Sequence, residues 1–410
     1  MQQFDIAIVG GGIGGSALAT ILARAGLGVV VLEKSTVYQD RVRGEWLAPW
    51  GVVELQNLGL YDTVLAAGGN HLSRHESREE DLSEHESVLT GLDLTGLLPG
   101  VPGPLCIGHP ALCQLLADQA SISGATVLRG VTDVQITPGE RPTVEYRHEG
   151  TSQSASCRLI VGADGRGSQI RKQAGIEAHR DPTHHLFAGM LVDDAEGWPQ
   201  HLQVIGMEKD VHFLVFPQRG GRVRLYLGYG VEQAKRFAGA HAQEAFLDAF
   251  RLDCLPGSEH LVRATPAGPC NSYPNEDSWT DVVCRGNVLL IGDAAGSNDP
   301  IIGQGLSITL RDVRLVSEAL AGTTRWTDEI FAPYAAERGE RMRRLRFSAK
   351  VVSALLNEFG PAAKARRERL REQQREDPSL LMPQMAALVG PHNLPADAFD
   401  ETMQARILGQ

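Results

Sequence analysis

A carboxylate and a run of small residues stand together in the stretch GDAAGSNDPIIGQG, residues 292–305. Asp293 follows the apolar run VLLI after one glycine, where its oxygens could accept hydrogen bonds from the hydroxyls of a polyol chain such as ribityl. Pro300 stiffens the approach to a helical pattern, and the free N–H groups of a helix N-terminus stabilise negative charge on a ring. The stretch therefore predicts ligand contacts at Gly292, Asp293, Pro300, Gly303, Gln304, Gly305 and Leu306.

A second glycine-rich turn, GGGIGG at residues 10–15, matches G-x-G-x-x-G between a strand pattern and a helix pattern. Gly10 permits the tight turn, Gly12 lets a pyrophosphate approach the backbone, and Gly15 lets the helix lie close to the strand. Glu33 ends the next strand, where a carboxylate accepts hydrogen bonds from ribose hydroxyls. This context predicts dinucleotide binding but does not separate NAD from FAD. The predicted contacts are Gly10, Gly12, Ile13, Gly14, Gly15, Glu33 and Lys34.

A third turn lies between these two, in GADGRGSQIRKQAG at residues 162–175, and places Asp164 and Gly165 after an apolar strand. By itself it is an ordinary Asp-Gly turn. The order of the three turns, however, resembles the class A FAD-dependent monooxygenases of the para-hydroxybenzoate hydroxylase type. The resemblance covers about residues 4–60, 105–175 and 285–345, and it implies bound FAD with contacts at all three turns.

The segment DRVRGEWLAPWG at residues 40–51 adds to this resemblance. Arg41 and Arg43 look like the Arg-x-Arg that lies beside the flavin and the nicotinamide cofactor in these hydroxylases. Arg43 is the better candidate for the pyrophosphate, because guanidinium pairs bidentately with phosphate. Arg43 and Pro300 are the two residues for which we predict a role close to the reaction. Gly44 and Glu45 are also similar to the halogenase and isoprenoid reductase branches of the superfamily.

Three positions depart from the family pattern. Gly296 stands where a histidine is usual, and Ser307 stands where asparagine is frequent, although its hydroxyl could still form a hydrogen bond. His109 begins the helix after residue 105, at a place where the family commonly has arginine, and we list it as a candidate flavin contact. None of the three removes the prediction of FAD binding.

The elements that must position these residues alternate along the chain. Apolar strand patterns at 4–9, 29–32, 158–165 and 287–294 favour a parallel sheet, and four patterns between 185 and 230 favour an antiparallel sheet with a hairpin at Gly220-Gly221. We expect an α/β fold in which a Rossmann-like FAD-binding domain (1–70, 105–178 and 283–330) is interleaved with an antiparallel β-sheet substrate domain (71–104 and 179–282). A helical C-terminal region (331–410) follows, and we expect its arginines to lie on a solvent-exposed helix face.

Composition excludes several classes. A net charge of −11 argues against a general nucleic-acid binder, and no run of about 18 apolar residues predicts a membrane span. The six cysteines form no C-x-x-C pair, and no signal peptide is visible, so we expect a cytoplasmic protein with reduced thiols. We expect no metal: His184 and His185 are adjacent, and adjacent strand residues point to opposite faces. The oligomeric state is left open.

The resemblance implies that NADH or NADPH reduces FAD, that dioxygen forms a flavin C4a-hydroperoxide, and that one oxygen atom enters a small aromatic or natural-product-like substrate. NADH and NADPH are not distinguished. A flavin-dependent halogenase, a prenyl reductase and a flavin-binding protein without turnover remain alternatives. Candidate substrate-lining residues on the predicted strands, each also explicable as core, are Trp46, His212, Phe213, Phe216, Tyr226 and Tyr229.

Overall fold

A computed structural model describes residues 1–42 and 44–409. Its parallel sheet is built from short apolar segments that are covered on both faces, which is why they carry no polar alternation. Ile6 pairs with Val29 and with Leu159, so the first strand lies at the centre of the sheet. Side by side, the strands are Cys284–Arg285, Val288–Leu290, Leu159–Gly162, Ile6–Val9, Val29–Glu33 and Thr126–Arg129. All neighbours are parallel except the edge strand Cys284–Arg285, which is antiparallel to Val288–Leu290. The predicted Rossmann-like α/β sheet is confirmed.

The helices of the described residues begin with the one that the glycine motif predicts. Helix α1 packs against α5 and α9, and the three helices carry apolar residues into the largest core of the protein. In chain order the helices are α1 Ile13–Arg24, α2 Pro49–Asn57, α3 Tyr61–Ala66, α4 Glu84–Leu89, α5 His109–Ile122, α6 Gln169–Gln173, α7 Ala242–Asp248, α8 Ser258–Val262, α9 Gly305–Ala321, α10 Ala332–Leu356, α11 Pro361–Glu376, α12 Met382–Val389 and α13 Glu401–Leu408.

The antiparallel sheet is the second large layer, and the predicted hairpin at Gly220-Gly221 joins two of its central strands. Both glycines have positive φ, which the turn requires. The charged excursion after residue 70 adds a parallel strand and an edge strand to the same sheet. Side by side, the strands are Thr265–Pro266, His185–Asp193, Val223–Gly230, Val211–Pro217, Leu202–Glu208, Arg74–Glu79 and Leu92–Asp93, and Asn271–Asn275 pairs with His185–Asp193.

Smaller sheets complete the strand inventory of the described residues. They contain Gln2–Gln3 with Thr151–Ser156, Thr143–His148 and Thr132–Thr137, then Trp46–Leu47 with Leu105–Cys106 and Asn70–His71, and finally His179–Arg180 with Ser278–Trp279. The short pairing of Trp46–Leu47 with Leu105–Cys106 connects the first and second segments of the parallel-sheet layer.

The arginine-rich C-terminal helices only partly form the solvated face that we predicted. Arg338 and Arg341 on α10 are buried, with 3% and 2% of their surface exposed, and both pair with the fully buried Asp312 of α9. Arg343, on the same helix, does lie at the surface beside Glu340. The expectation of a solvated face was therefore wrong for Arg338 and Arg341, because both turn toward α9 and pair there with the buried carboxylate of Asp312.

A search of the described helices finds none that combines the length and the apolar character needed to span a membrane.

Candidate active site

A cavity of about 1370 Å³ lies between the carboxyl ends of the parallel strands and one face of the antiparallel sheet. A site for one drug-sized ligand measures about 300–1000 Å³, so this cavity has room for a dinucleotide and a second molecule. The carboxyl ends of parallel strands are also where open α/β sheets bind their ligands. Its walls bring together Gly10, Gly12, Ile13, Gly14, Glu33, Lys34, Arg41, His109, Asp164, Gly165, Gly292, Asp293, Pro300, Gly303, Gln304, Gly305 and Leu306.

Two of the predicted contacts are not in this lining. Arg43 lies outside the described residues. Gly15 is buried under the first turn of α1, where a Cβ atom would collide with the carbonyl oxygen of Gly10. Gly15 therefore has the packing role that the motif predicts for the third glycine.

The glycine turn at residues 10–15 fits the pyrophosphate of a dinucleotide. Around Gly12 there is open space, and no atom of the protein lies within 4 Å of the place where a Cβ atom would be. Gly12 is also the N-cap of α1, with no side chain capping the helix, so the first N–H groups of α1 are free to bind an anion. A bare backbone and a helix N-terminus together form the cradle that a pyrophosphate needs.

Glu33 holds this cradle from the adjacent strand. Its Oε2 accepts a hydrogen bond from the N–H of Gly11 at 2.6 Å, and its Oε1 accepts one from Ser35 at 2.7 Å. Each carboxylate oxygen has a further lone pair, and Glu33 lines the cavity, so a ribose hydroxyl can still donate to it. Tyr38 donates to the carbonyl of Gly11 from the other side.

The carboxylates of the turns at residues 162–175 and 292–305, Asp164 and Asp293, differ in their partners. Asp164 caps α6, because it accepts hydrogen bonds from the Ser168 hydroxyl at 2.5 Å and the Gln169 N–H at 2.7 Å. The carboxylate of Asp293, by contrast, accepts no hydrogen bond from the described residues. Its side chain is 37% exposed toward the cavity, and its near neighbour of opposite charge is Arg166, with Nε at 3.5 Å from Oδ2. Asp293 is therefore the carboxylate that is available to a polyol chain.

The turn that carries Asp293 is fixed from behind by α9 and α10. Arg338 donates hydrogen bonds to the carbonyls of Gly292, Ala295 and Gly296, each at 3.0 Å. Asp312 accepts one from the N–H of Gly292 at 2.8 Å. Burial alone would raise the pKa of Asp312, but the charges of the neighbouring arginines lower it, so the carboxylate is ionised.

At the start of α9 the backbone rather than the side chains faces the cavity. The buried amide of Gln304 accepts from Trp50 Nε1 at 2.7 Å and donates to the carbonyl of Ala387 at 3.1 Å. The polar atoms of the Gln304 side chain are thus already hydrogen-bonded within the protein. The N–H groups of Gly305 and Leu306 precede the first hydrogen bond of the helix, which Ile308 donates to Gln304, so they are available to a ring carbonyl.

The loop that carries Arg41 is pinned by a buried ion cluster. Arg224, which is 1% exposed, pairs with Glu45 and also reaches Asp40, with Nη2 and Oδ2 at 2.7 Å. Glu45 in turn accepts from the N–H of His109 at 3.3 Å. Arg41 and His109 both line the cavity.

The structure explains the departures at Gly296 and Ser307. A Cβ atom on Gly296 would lie 2.5 Å from the carbonyl oxygen of Ser278, and φ is +119°, so a histidine does not fit. The buried hydroxyl of Ser307 has no hydrogen-bond partner among the described residues, so the expectation that it could form a hydrogen bond stays a prediction. Ser307 instead packs against Gly51 of α2, where a larger side chain would collide.

Beyond the predicted flavin end, the cavity is walled by the antiparallel sheet. Of the six candidate substrate-lining residues, Trp46, Phe216 and Tyr226 are in the wall. His212 is fully buried outside it, and Phe213 and Tyr229 pack into the core on the opposite face of the sheet. The alternation of strand residues would have separated these groups, since Phe213 and Phe216 have opposite parity.

Other residues of the cavity wall have sequence patterns that do not distinguish them from ordinary core residues. Gln203 accepts from Trp46 Nε1 at 2.9 Å and lies 3.4 Å from His75 Nδ1, and charged side chains such as Glu79, Arg367 and Arg371 also line the cavity. Burial lowers the pKa of His75 to about 4, so this imidazole is neutral at pH 7. Sequence reasoning missed both of these, together with the apolar residues Phe187, Ile205, Leu214, Tyr273, Val352, Leu355, Leu356, Met385 and Leu388.

The adjacent histidines contradict the reason that we gave for expecting no metal. The strand begins at His185, so His184 is not held to the alternation, and the two imidazoles lie on the same side. Their Nδ1 atoms are 2.7 Å apart, and the ring centroids are 4.7 Å apart. The prediction that they point in opposite directions was wrong.

Comparison with known proteins agrees with this geometry. Residues 3–348 match the family described as FAD binding domain. The squalene monooxygenase of Mus musculus is 26% identical over 376 residues, which cover 86% of this chain and 60% of the relative. The menaquinone reductase of Mycolicibacterium smegmatis is 27% identical, covering 77% of this chain and 76% of the relative. This chain thus spans less than two thirds of the length of the squalene monooxygenase.

Among solved structures, the p-nitrophenol 4-monooxygenase of Pseudomonas putida has the same fold. The TM-score is 0.78 at 19% identity, over 92% of this chain and 95% of that one. The resemblance to class A FAD-dependent monooxygenases is confirmed by the family match together with these relatives. The chain belongs to the FAD-binding domain family.

Proposed function

We propose that this protein is an NAD(P)H-using FAD monooxygenase that hydroxylates an apolar, aromatic or natural-product-like molecule. The observation that carries the proposal is the single continuous cavity, in which the predicted flavin contacts and an aromatic wall share one volume. A substrate held against Phe216 and Tyr226 would face the ring that Pro300 and the start of α9 are placed to hold. The family match supports FAD, and the reductant and the substrate are our inference.

When bound, FAD supplies the electron transfer from NAD(P)H and the activation of dioxygen. The contribution of the chain is position and electrostatics. Gly12 and α1 bind the pyrophosphate, Asp293 holds the ribityl hydroxyls, and the N-terminus of α9 stabilises negative charge on the reduced ring. Arg41 and Arg43 are proposed to contact the cofactors, and Pro300 is proposed to lie beside the reacting edge of the ring.

The far wall supports a substrate that is largely apolar. Helices α10 and α12 close this end with Val352, Leu356 and Leu388, which exclude water from the reacting molecule. Gln203 and the neutral His75 offer an uncharged polar contact beside Trp46, which suits a hydroxyl or carbonyl group. The charged side chains of Glu79, Arg367 and Arg371 also reach the lining, so a polar group on the substrate is compatible with it. A phenol with an apolar body, or a quinol-like molecule, has this distribution.

A prenyl or quinone reductase is a second candidate, because the menaquinone reductase matches more than three quarters of both chains. Oxygen incorporation separates the two. Purified FAD-loaded protein is incubated with NADPH or NADH, a panel of phenols and quinones, and dioxygen labelled with oxygen-18. We expect a product that carries one labelled oxygen atom. A product that gains two hydrogen atoms and carries no labelled oxygen would contradict the monooxygenase proposal and support the reductase.

A further inference from the structure

A second cluster of ligand-type side chains lies outside the lining of the cavity. We propose that His184, His185 and Asp299 form a binding site for one divalent transition-metal cation, for which Zn²⁺ is the best match. Two imidazoles and one carboxylate are the ligand set that Zn²⁺ accepts when it keeps a further position for solvent. The proposal is independent of the proposed reaction, since none of the three residues faces the predicted flavin or substrate.

The distances between the ligand atoms suit one shared cation. His184 Nε2 lies 3.1 Å from one oxygen of Asp299, and His185 Nε2 lies 4.0 Å from the other. Two atoms that bind one Zn²⁺ at about 2.1 Å can be up to about 4.2 Å apart, so both separations are within this limit. One ligand atom from each residue can be chosen so that all lie within 4.8 Å of one another, and a small closure of the two rings would complete the site.

The carboxylate provides the argument from charge. Asp299 is 1% exposed, and its Oδ1 accepts a hydrogen bond from the N–H of Ile301 at 2.9 Å. Its Oδ2 is buried and has His184 Nε2 as its near polar neighbour, at 3.1 Å. Next to it is a second buried carboxylate, Asp277, which accepts from the N–H of Asp299 at 2.9 Å. Two buried acids share one cluster with two imidazoles, and a cation bound among them would offset the cost of burying the charge of the carboxylates.

The surroundings of the imidazoles resemble the support that metal-binding histidines usually have. The hydroxyl of Ser353 on α10 lies 3.3 Å from His184 Nδ1 and 3.4 Å from His185 Nδ1, so it can fix both rings through the nitrogens that face away from Asp299. The side-chain amide of Asn275 lies 2.7 Å from His185 Nε2. Its buried Oδ1 has no partner among the described residues, and half a turn of the amide would present this oxygen to the cation.

A cation here would join three elements that flank the cavity. His185 begins a strand of the antiparallel sheet, Ser353 belongs to α10, and Asp299 directly precedes Pro300. The His184 side chain is 43% exposed, which leaves an entry path for the ion and a position for water. We therefore expect the ion to stabilise the fold at the loop that carries Pro300.

The test uses untagged, FAD-loaded protein that has been treated with a chelator and dialysed. Zn²⁺ binding is measured by isothermal titration calorimetry, and the unfolding temperature is measured with and without Zn²⁺. We expect one Zn²⁺ per chain with micromolar or tighter affinity, and a higher unfolding temperature in its presence. His184→Ala removes one ligand and should weaken binding at least tenfold, as should Asp299→Asn.

His241→Ala is the matched control, because His241 is an exposed histidine beside the exposed carboxylate of Glu244. It should bind Zn²⁺ as the unmodified protein does. The proposal is overturned if the unmodified protein binds no Zn²⁺ at micromolar concentration. Binding that persists unchanged in His184→Ala also overturns it, because the ion would then be held elsewhere.

Discussion

Arg338 Nε lies 3.0 Å from Asp312 Oδ2, and this buried pair stands directly behind the turn that carries Asp293. Arg338 donates to carbonyl groups of the turn, and Asp312 accepts from one of its N–H groups. A short loop without these contacts would be free to move. The candidate ribityl-binding carboxylate is therefore positioned by two helices and not by the loop alone.

Arg338→Met should lower the free energy of unfolding by about 3–5 kcal/mol, because it leaves part of a buried ionic network without its partner. Urea unfolding of the FAD-free protein measures this loss. Arg343→Met is the control on the same helix, since Arg343 pairs with Glu340 at the surface, and it should cost about 1 kcal/mol or less. Equal losses in the two variants would contradict the structural role of Arg338.

Gly12→Ala and Gly15→Ala should fail in different ways. At Gly12 a methyl group meets open space and φ is −74°, so the variant should fold normally but lose FAD, because the methyl group occupies the position of the pyrophosphate. At Gly15 the methyl group collides with the Gly10 carbonyl, so the fold itself should lose stability. Thermal unfolding and the flavin content after purification distinguish the two. A Gly12→Ala protein with full FAD content would refute the assignment of the cradle.

Asp293→Ala should purify as a folded protein with little flavin. Each hydrogen bond to a charged group contributes about 1.5–3 kcal/mol, which corresponds to about a 10- to 150-fold weaker affinity for FAD. Fluorescence titration of the FAD-free protein measures this change. Asp248→Ala, at an exposed carboxylate that pairs with Arg251, is the control. Normal flavin affinity in Asp293→Ala would remove this residue from the site.

Phe213 and Phe216 form a matched pair on one strand. Phe216 faces the cavity, and Phe213 is fully buried in the core on the other face of the sheet. Phe213→Ala should lower the free energy of unfolding by about 3–5 kcal/mol. Phe216→Ala should cost less stability and should change the affinity for aromatic ligands, measured from their effect on the flavin spectrum. If Phe213→Ala changed the ligand affinity and Phe216→Ala mainly lowered the stability, the assignment of Phe216 to the substrate wall would be wrong.

The cofactor half of the site could be predicted because its residues are close in sequence to the turns that present them. The glycines at 10–15, Asp293 and the segment 303–306 each follow a recognisable strand or precede a recognisable helix. Their exact contacts and the division into domains stay predictions. Which carboxylate is free could not be known, since only the fold shows that Asp164 is used as a helix cap and Asp293 is not.

The substrate half was harder, because its wall is assembled from segments that are far apart in the chain. Apolar residues at these positions carry the same signal as ordinary core residues, and Val352 or Leu388 show their role only when α10 and α12 close over the sheet. The alternation of side chains along a strand would have shown that Phe213 and Tyr229 do not face the substrate site. Helical spacing would have placed Arg338 on the same face of α10 as the buried Met342 and Leu345, and Arg343 off that face.

The central claim is that one cavity brings a reducible flavin and an aromatic ligand together. It is tested most directly by mixing the FAD-loaded protein with NADH or NADPH without oxygen and following the flavin absorption band, with and without phenolic ligands. We expect one of the nucleotides to bleach the band, and a ligand of the cavity to accelerate the bleaching. A band that neither nucleotide bleaches, with any ligand of the panel, would contradict a self-sufficient monooxygenase. It would instead favour a flavoprotein that depends on a separate reductase or catalyses no turnover.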